Sequence, residues 1–439
     1  MSFELAHMTA HLPHQRDFVK RTDNDRTVSK TPNKKHCFSS LSSFWFGLLI
    51  GGLTGGIILA VILTFYITSS YENASGTGAI GITTVNTAVS TSSTIISTTT
   101  TTPLPGSTVV NSMNYARAQH SAFVLTNGKV LVTAGRNSSS ALSSSELYDP
   151  STGIWTLTGN LDFARYKHTA SILTNGKILT AGGYNGSVYT SKTELYDPST
   201  GLWTITNVMN SIRYTHTACI LANGNVLVSG GYNGGGTNLK SAEVYNSSSG
   251  VWAVTGDMLY IRRLHTLTLL SDGRVLTASG YNGSVALDTT ELYDPSTGTW
   301  TLTGKMNYGR YYHTESILTN GKVLVIGGHN GTAPVDSVEL YDPSVGTWTL
   351  TGKMNYARYC HTASVLSNGK ILVIGGYNGT TALNTTELYD PATGVWTVTN
   401  STNYARYCHT ASMLSNGKIL IAGGMGSSGY LNTAELYQP

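Results

Sequence analysis

The chain has 439 residues, of which only 11% are charged, against about 25% in an ordinary globular protein. An apolar content of 40% excludes wholesale disorder, and four cysteines exclude a disulfide-built scaffold or a CxxC metal knuckle. The net charge is +4, and the first 35 residues hold seven Lys/Arg against four Asp/Glu, so no basic face for nucleic acid remains beyond them.

Residues 1–43 are polar and without period, which predicts a disordered tail. Phe44 to Ile67 follows, 24 residues without a charge. As a helix it would reach about 36 Å, enough for a hydrocarbon core of about 30 Å. The run is apolar all round and lies too deep in the chain for a cleaved signal peptide, so it reads as a transmembrane signal anchor. Lys30, Lys34 and Lys35 precede it and the next basic residue after it is Arg117. The positive-inside rule then predicts a single-pass type II protein with a cytoplasmic N-terminus and the rest extracellular or luminal. Gly47/Gly51/Gly55 and Gly52/Gly56 are spaced for a helix–helix dimer contact. Cys37, near the inner face, is either a palmitoylation position or an idle thiol.

Residues 68–106 read as a stalk. From Thr83 to Thr108, 16 of 26 residues are Ser or Thr, a composition that buries no core and suits an O-glycosylated spacer.

From Ser107 onward one motif is written seven times. An Arg is followed three residues later by His at Arg117/His120, Arg165/His168, Arg213/His216, Arg262/His265, Arg310/His313, Arg358/His361 and Arg406/His409, with Arg-to-Arg steps of 48 or 49. Gly pairs (Gly182–Gly183, Gly230–Gly231, Gly327–Gly328, Gly375–Gly376, Gly423–Gly424) come next. Glu-Leu/Val-Tyr follows, and a Trp stands seven residues beyond each Tyr from Tyr148/Trp155 to Tyr389/Trp396. A fixed period of this size signals a repeat architecture. Each unit reads as four strands, with Asn-Gly-Lys expected to turn through positive φ at both Asn and Gly. The expected fold is all-β, a seven-bladed propeller of four-stranded blades over residues 107–439.

These landmarks resemble the kelch repeat, with its Gly pair closing the second strand and its spaced Tyr and Trp. The first and fourth units depart from it, with Ala134–Gly135 and Ser279–Gly280 in place of the Gly pair. The seventh unit has no Trp after Tyr437. Ser107–Val110 aligns with the fourth strand of other units and is expected to complete the last blade, removing the open edge.

The charges sort the remaining residues. Of 38 charged residues from Ser107 onward, only 13 fall outside the repeat pattern. Seven repeated Arg and seven repeated Glu residues suggest structural pairing rather than catalysis. Seven equivalent His residues spread around a ring would not converge on one ion, so they read as hydrogen-bonded blade residues, with no metal and no cofactor expected. The galactose oxidase family shares this architecture, and Tyr359-Cys360-His361 and Tyr407-Cys408-His409 superficially resemble its copper ligands. They occupy ordinary repeat positions, so the resemblance implies the fold and not the oxidase chemistry. Cys360 and Cys408 sit at equivalent sites of adjacent units, where a disulfide is conceivable but blade spacing threatens the Cα limit of roughly 7 Å.

Glu315 stands out on an innermost strand where its counterparts are Ala or Leu. It reads as an acid/base or cation-binding group, or as a carboxyl compensated locally. Asp288 and Asp336 hold matching loop positions and invite comparison with a glycosidase pair, or are simply solvated. Asn-X-Ser/Thr occurs at Asn73, Asn137, Asn185, Asn246, Asn282, Asn330, Asn378, Asn384 and Asn400. An outside topology makes these N-glycosylation candidates, while Asn-Gly also favours turns.

For binding, the connections after the second and fourth strands are the variable ones. Tyr184, Tyr232, Tyr281, His329 and Tyr377 follow the glycines and are the candidate binding residues, with Arg136 and Met425 in equivalent places. Tyr115, Phe163, Tyr308, Tyr356 and Tyr404 precede the Arg and serve either binding or core packing. The expected function is recognition of a protein or glycan through one propeller face, with no catalytic residues assigned. The rival is an enzyme of galactose-oxidase-like or glycosidase-like chemistry, and a third reading is a purely structural adhesive array.

Overall fold

A computed structural model describes residues 106–439. The tail, the apolar span with its glycines, the stalk, Cys37 and Asn73 lie outside the described residues. No helix among the described residues is long and apolar enough to cross a membrane.

Seven four-stranded antiparallel sheets follow one another. In the second blade the strands are Thr169–Ile172, Ile178–Ala181, Thr193–Asp197 and Leu202–Thr206, from the axis outward. The second strand of each blade is a short apolar run such as Val323–Ile326, buried along its whole length, because neighbouring blades cover both of its faces. The outermost strand is covered on one side only. It therefore alternates, with Trp155 buried between exposed Ile154 and Thr156.

The ring closes as the alignment requires. Gly106–Val110 pairs antiparallel with Ala434–Gln438, placing Ser107 opposite Tyr437. That is the position where Trp155 faces Tyr148 in the first blade. Ser107 uses the place of the absent Trp differently, donating its hydroxyl to Glu435 at 2.6 Å.

The repeated Arg and Glu form a buried clamp inside each blade. Arg310 donates through Nη1 to the Gly327 and Ser337 carbonyls at 2.9 and 2.7 Å. Its Nη2 reaches Ser337 Oγ at 3.0 Å and Glu339 Oε1 at 2.8 Å. Glu339 Oε2 accepts the Asn307 backbone and side-chain N–H groups at 2.7 and 2.9 Å, and Oε1 accepts the Tyr308 N–H at 3.1 Å. The pair thus ties the chain arriving from the preceding blade to the third strand of its own blade. All seven pairs are made, with both side chains at most 1% exposed.

Contacts between blades use the other repeated polar groups. The His Nε2 of each blade hydrogen-bonds a hydroxyl of the blade before it. Ser121 serves His168 at 3.0 Å, Thr314 serves His361 at 2.8 Å, and Thr410 serves His120 at 2.8 Å across the closure. His265 differs only in using Ser229, at 3.0 Å. Burial holds all seven imidazoles below their usual value, His168 and His313 down to about 3, so they are neutral near pH 7. Farther out, the third-strand Tyr hydroxyl meets a Thr of the preceding blade, as in Thr158–Tyr196 at 2.9 Å. The same Tyr lies 5.2 Å from the ring of its own Trp203.

The Gly pairs are required by close approach. A Cβ on Gly182 would stand 2.5 Å from the Arg213 carbonyl oxygen of the next blade. Where the pair is absent the same left-handed backbone persists, at 59° in both Ala134 and Ser279. Ser279 turns the contact into hydrogen bonding, its Oγ accepting the Arg310 N–H at 2.8 Å.

The Asn-Gly-Lys turns depart from expectation in one respect. Only the glycine takes positive φ, 79° at Gly128 and 80° at Gly176. The Asn contributes its side chain instead, Asn127 Oδ1 accepting the Lys129 N–H at 3.1 Å. The lysine then reaches the Asp of the third-to-fourth-strand turn, as in Lys177–Asp197 at 3.1 Å, so these two turns lie on the same side of the disc.

Breaking a buried pair by removing one charge typically costs about 3–5 kcal/mol. Glu339→Gln is therefore expected to destabilise the protein by about 3 kcal/mol in urea unfolding. A variant unfolding at the parent midpoint would show that the clamp is dispensable.

Candidate functional site

The opposite side of the disc carries the connections after the second and fourth strands. They are joined by isolated bridges, Tyr166 to Tyr184 and Tyr184 to Tyr189 in the second blade, with equivalents in every blade. These bridges fix where the candidate rings lie. Tyr184 and Tyr232 are half-buried, whereas Tyr281, His329 and Tyr377 are 7%, 1% and 2% exposed. Met425 and Arg136 are buried as well. Tyr281, Tyr377 and Met425 belong to an apolar cluster with Leu264, Tyr311, Tyr312, Tyr359, Cys360, Tyr407 and Cys408. The residues before the Arg show the reverse. Tyr115, Tyr308, Tyr356 and Tyr404 are exposed, Phe163 is half-buried, and Tyr260, not singled out in the sequence, joins them in the fourth blade.

At the axis sits a belt of which the repeat pattern marks only Cys360 and Cys408. The residue two after each repeated Arg (Gln119, Lys167, Thr215, Leu264, Tyr312, Cys360 and Cys408) has φ between 52° and 58°. None is glycine, so each carries left-handed strain. Backbone bonds link them from blade to blade, including Thr215 N–H to the Lys167 carbonyl at 3.2 Å and Cys408 N–H to the Cys360 carbonyl at 2.9 Å. Gln119 N–H to the Cys408 carbonyl at 3.1 Å crosses the closure. Cys360 is a free, buried thiol, so it does not pair with Cys408; burial pushes it well above the usual thiol value, against the pull of Lys167.

Lys167 is the unusual member. It is 0% exposed, its Nζ has no hydrogen-bond partner, and it stands 5.2 Å from the centre of the Tyr214 ring. Burial holds its ammonium well below the usual lysine value, with Cys360 opposing that shift and Arg263 and Arg136 adding to it. Arg263 packs against Tyr232 and Tyr281 at 5.4 and 5.3 Å. Arg136 packs against Tyr166 and Tyr430 at 5.2 and 5.4 Å. Between them runs a chain of rings in which Tyr184 and Tyr189 stack at 4.2 Å and Tyr189 meets Tyr232 at 5.7 Å. Lys167, Arg136 and Arg263 all belong to the 13 charged residues outside the repeat pattern, and that is the signal that would have found them.

Glu315 lies on the innermost strand of the fifth blade, Thr314–Ile317. It is 8% exposed, and neither carboxyl oxygen completes a hydrogen bond. Burial, partly opposed by the nearby Thr266 and Thr268 hydroxyls, pushes it up to about 7. Asp288 and Asp336 are each engaged by their own lysine, Lys305 at 3.7 Å and Lys353 at 3.1 Å. The Asn of the Gly-pair loops has a structural task. Asn137, Asn185, Asn282, Asn330 and Asn378 each accept two backbone N–H groups of their own loop through Oδ1. Asn246 does the same in an outer turn, and Asn384 and Asn400 are exposed.

The residues do not fit a copper centre of the Tyr/His kind. His361 and His409 give their Nε2 to Thr314 and Thr362. His329 is the one described imidazole outside the blade ring, and its Nδ1 accepts the Gly331 N–H at 3.0 Å. No second imidazole is brought to it, and no group of three His, Cys, Asp or Glu among the described residues is placed to hold a metal ion.

Comparison with known proteins agrees with the architecture. The family model described as the kelch motif matches residues 117–161, 165–209, 213–259, 262–307, 310–355 and 358–403. No curated protein matches the chain. Among solved structures, the chain is similar to a novel fungal alcohol oxidase of the AA5 family in complex with copper. The TM-score is 0.64 at 20% identity, over 76% of each chain, a likeness of fold alone.

Glu315 yields a test in which pH sets the sign. Its folded-state value lies above its ordinary 4.5, so the folded protein binds the extra proton and the parent loses stability as pH rises from about 4.5 to about 7. Glu315→Gln is expected to be more stable than the parent, with a gap that grows over that window and levels off near 3 kcal/mol, an order-of-magnitude figure. A gap independent of pH in urea unfolding would contradict the buried, protonated carboxyl.

Proposed function

The chain belongs to the kelch-motif family, and on that premise we propose that it is a membrane-anchored recognition module that binds a protein or glycan outside the cell or in a lumen. The observation that carries this reading is the collar of exposed rings at one repeat position. Tyr115, Tyr260, Tyr308, Tyr356 and Tyr404 all present large side chains to solvent. Their placement is not loose, because the backbone N–H of each is held by the buried Glu of its clamp, as in Tyr260–Glu291 at 3.2 Å and Tyr356–Glu387 at 3.1 Å. Rigidly based tyrosines offer contact area, few rotors and a polar tip. Variable connections on a rigid scaffold are where binding concentrates.

The test is a glycan array and a surface-protein display probed with the full-length chain. The Tyr308→Ala/Tyr356→Ala double variant is expected to melt within a few degrees of the parent and to lose binding by about tenfold or more. Tyr377→Ala, which removes a buried ring, is expected to lower stability by about 3 kcal/mol. Absence of saturable binding, or equal binding by the collar variant, would sink the reading.

The orientation rests on Lys30, Lys34 and Lys35 before the apolar run, and the sequons make the propeller a glycoprotein in that orientation. Protease added to intact cells is expected to remove the propeller, and endoglycosidase to increase its gel mobility. A protected, unglycosylated propeller would reverse the topology.

A further inference from the structure

Two consecutive connections break the repeat in the same direction. Residues 207–213 lead into the third blade, and residues 256–262 lead out of it. Val208 stands where the other blades have Ser, Asn, Asp or Lys, and Leu259 where they have Asn or Asp. Ile212 and Ile261 stand where the other five have Ala or Gly. All four face solvent, Val208 and Leu259 at 52% and 53% exposed and the isoleucines at 41% and 40%. Leu259 also gives up a contact. The equivalent Asn307 and Asn355 donate their side-chain amides to the clamp carboxylate at 2.9 and 2.8 Å, whereas Leu259 offers Glu291 its backbone N–H, at 2.6 Å. A hydrogen bond to a charged group is lost and a large apolar side chain is put into water, so stability does not account for the leucine.

The Gly-pair loop of the third blade lies between these two connections. Tyr232 bridges to Tyr214 on one side, and the Leu239 and Lys240 carbonyls accept the Arg262 and Met258 N–H groups at 3.1 and 2.9 Å on the other. The loop turns at exposed Gly235 and Gly236. Unlike the loops of the blades on either side, which carry Asn185 and Asn282, it has no sequon. The exposed charges of this strip, Lys240 and Asp257, pair with each other at 3.5 Å.

We infer that Val208, Ile212, Leu259 and Ile261 dock a short, uncharged aliphatic segment of a partner protein, an inference that rests on the recognition reading above and narrows it. Exposed apolar side chains gathered on one strip mark an interaction site. They have no hydrogen-bonding tips, so sugar hydroxyls covered by them would be left unpaired, while apolar protein side chains lose nothing there. The self-paired charges leave no field for a charged partner to match. In the outside orientation, glycans on Asn185 and Asn282 stand on either side of the strip, which favours one segment over the broad face of a second propeller.

The test sets the full-length chain against a panel of purified surface-protein ectodomains, each measured singly, with the glycan array and phosphatidylcholine vesicles beside it. The variant Val208→Ser/Ile212→Ala/Leu259→Asn/Ile261→Ala returns the strip to residues of its sister blades. It is expected to melt at or above the parent temperature, since Leu259→Asn restores the side-chain bond to Glu291. At least one ectodomain is expected to bind the parent saturably and equally at low and high salt, and to bind the variant about tenfold or more weakly. Should the quadruple variant fail to fold, Leu259→Asn alone is the second arm, with affinity reduced about threefold or more. No saturable ectodomain binding, undiminished binding by the variant, or binding that falls steeply with salt overturns the inference. So does a glycan, vesicle or self-association signal that the variant abolishes, since it assigns the strip to a sugar, a lipid surface or a second copy. The collar variant separates the two readings. Ectodomain binding lost in Tyr308→Ala/Tyr356→Ala but kept by the strip variant sinks the strip alone, and the reverse pattern sinks the collar alone.

Discussion

The clamp between a repeated Arg and a repeated Glu is the constraint on which the rest of this propeller depends. A buried ion pair is often no better than apolar packing of the same volume, so its recurrence in all seven blades asks for another reason. The geometry gives one. Each guanidinium takes up carbonyls at the ends of two strands, and each carboxylate takes up the N–H groups of the incoming connection, as Glu194 does for Asp162 and Phe163 at 2.7 and 3.2 Å. Backbone groups that no strand could satisfy are thereby paired. The connection between blades is fixed in register, and the residue two before the Arg, such as Tyr308 before Arg310, is exposed.

The architecture was legible because a repeat writes the same physical problem seven times. Arg, His, Gly pair, Glu, Tyr and Trp each keep one contact, and even the closure followed from aligning Ser107 with Trp155. Local chemistry was less legible. The Asn of Asn-Gly-Lys was expected to supply positive φ, yet Asn127 and Asn175 serve through Oδ1, since one left-handed residue is enough for this turn. The rings after the glycines looked like surface in the sequence because they stand in variable connections. In the fold, the bridge from Tyr359 to Tyr377 carries the second connection in toward the axis, and the ring is buried. Alternation and turn signals give no radial position, so the sequence did not separate the buried rings of a connection from the exposed ones.

The axial belt shows what strain is used for here. Left-handed backbone costs a side-chain-bearing residue roughly 1 kcal/mol or more, and glycine would relieve it at every position. The chain uses glycine where close approach is added to left-handed backbone, as at Gly182 and Gly230. In the belt it retains Gln119, Lys167, Thr215, Leu264, Tyr312, Cys360 and Cys408, including a β-branched residue at 57°. Glycine there would leave the axis without side chains. Backbone bonds from blade to blade offset part of the cost, and the remainder goes into delivering seven side chains to the axis.

A ring of equivalent blades has no direction until something breaks its symmetry, and the residues that break it are few. The repeated Arg and Glu pair within each blade, and the turn lysines pair with the Asp of an adjacent turn. The exceptions to that pattern include Arg136, Lys167 and Arg263, the two arginines acting electrostatically on the lysine, and Glu315 on an inner strand of the fifth blade. Around the rest of the belt the same position is filled by Leu264, Tyr312, Cys360 and Cys408, in one apolar cluster with Tyr359, Tyr407 and Met425. The belt side chains therefore differ in chemistry from blade to blade, although the backbone that carries them repeats at φ between 52° and 58°. The clamps and the His–hydroxyl bonds recur without using the belt side chains, which leaves those free to differ from blade to blade. That freedom lets a scaffold of seven near-identical blades hold a chemically asymmetric centre.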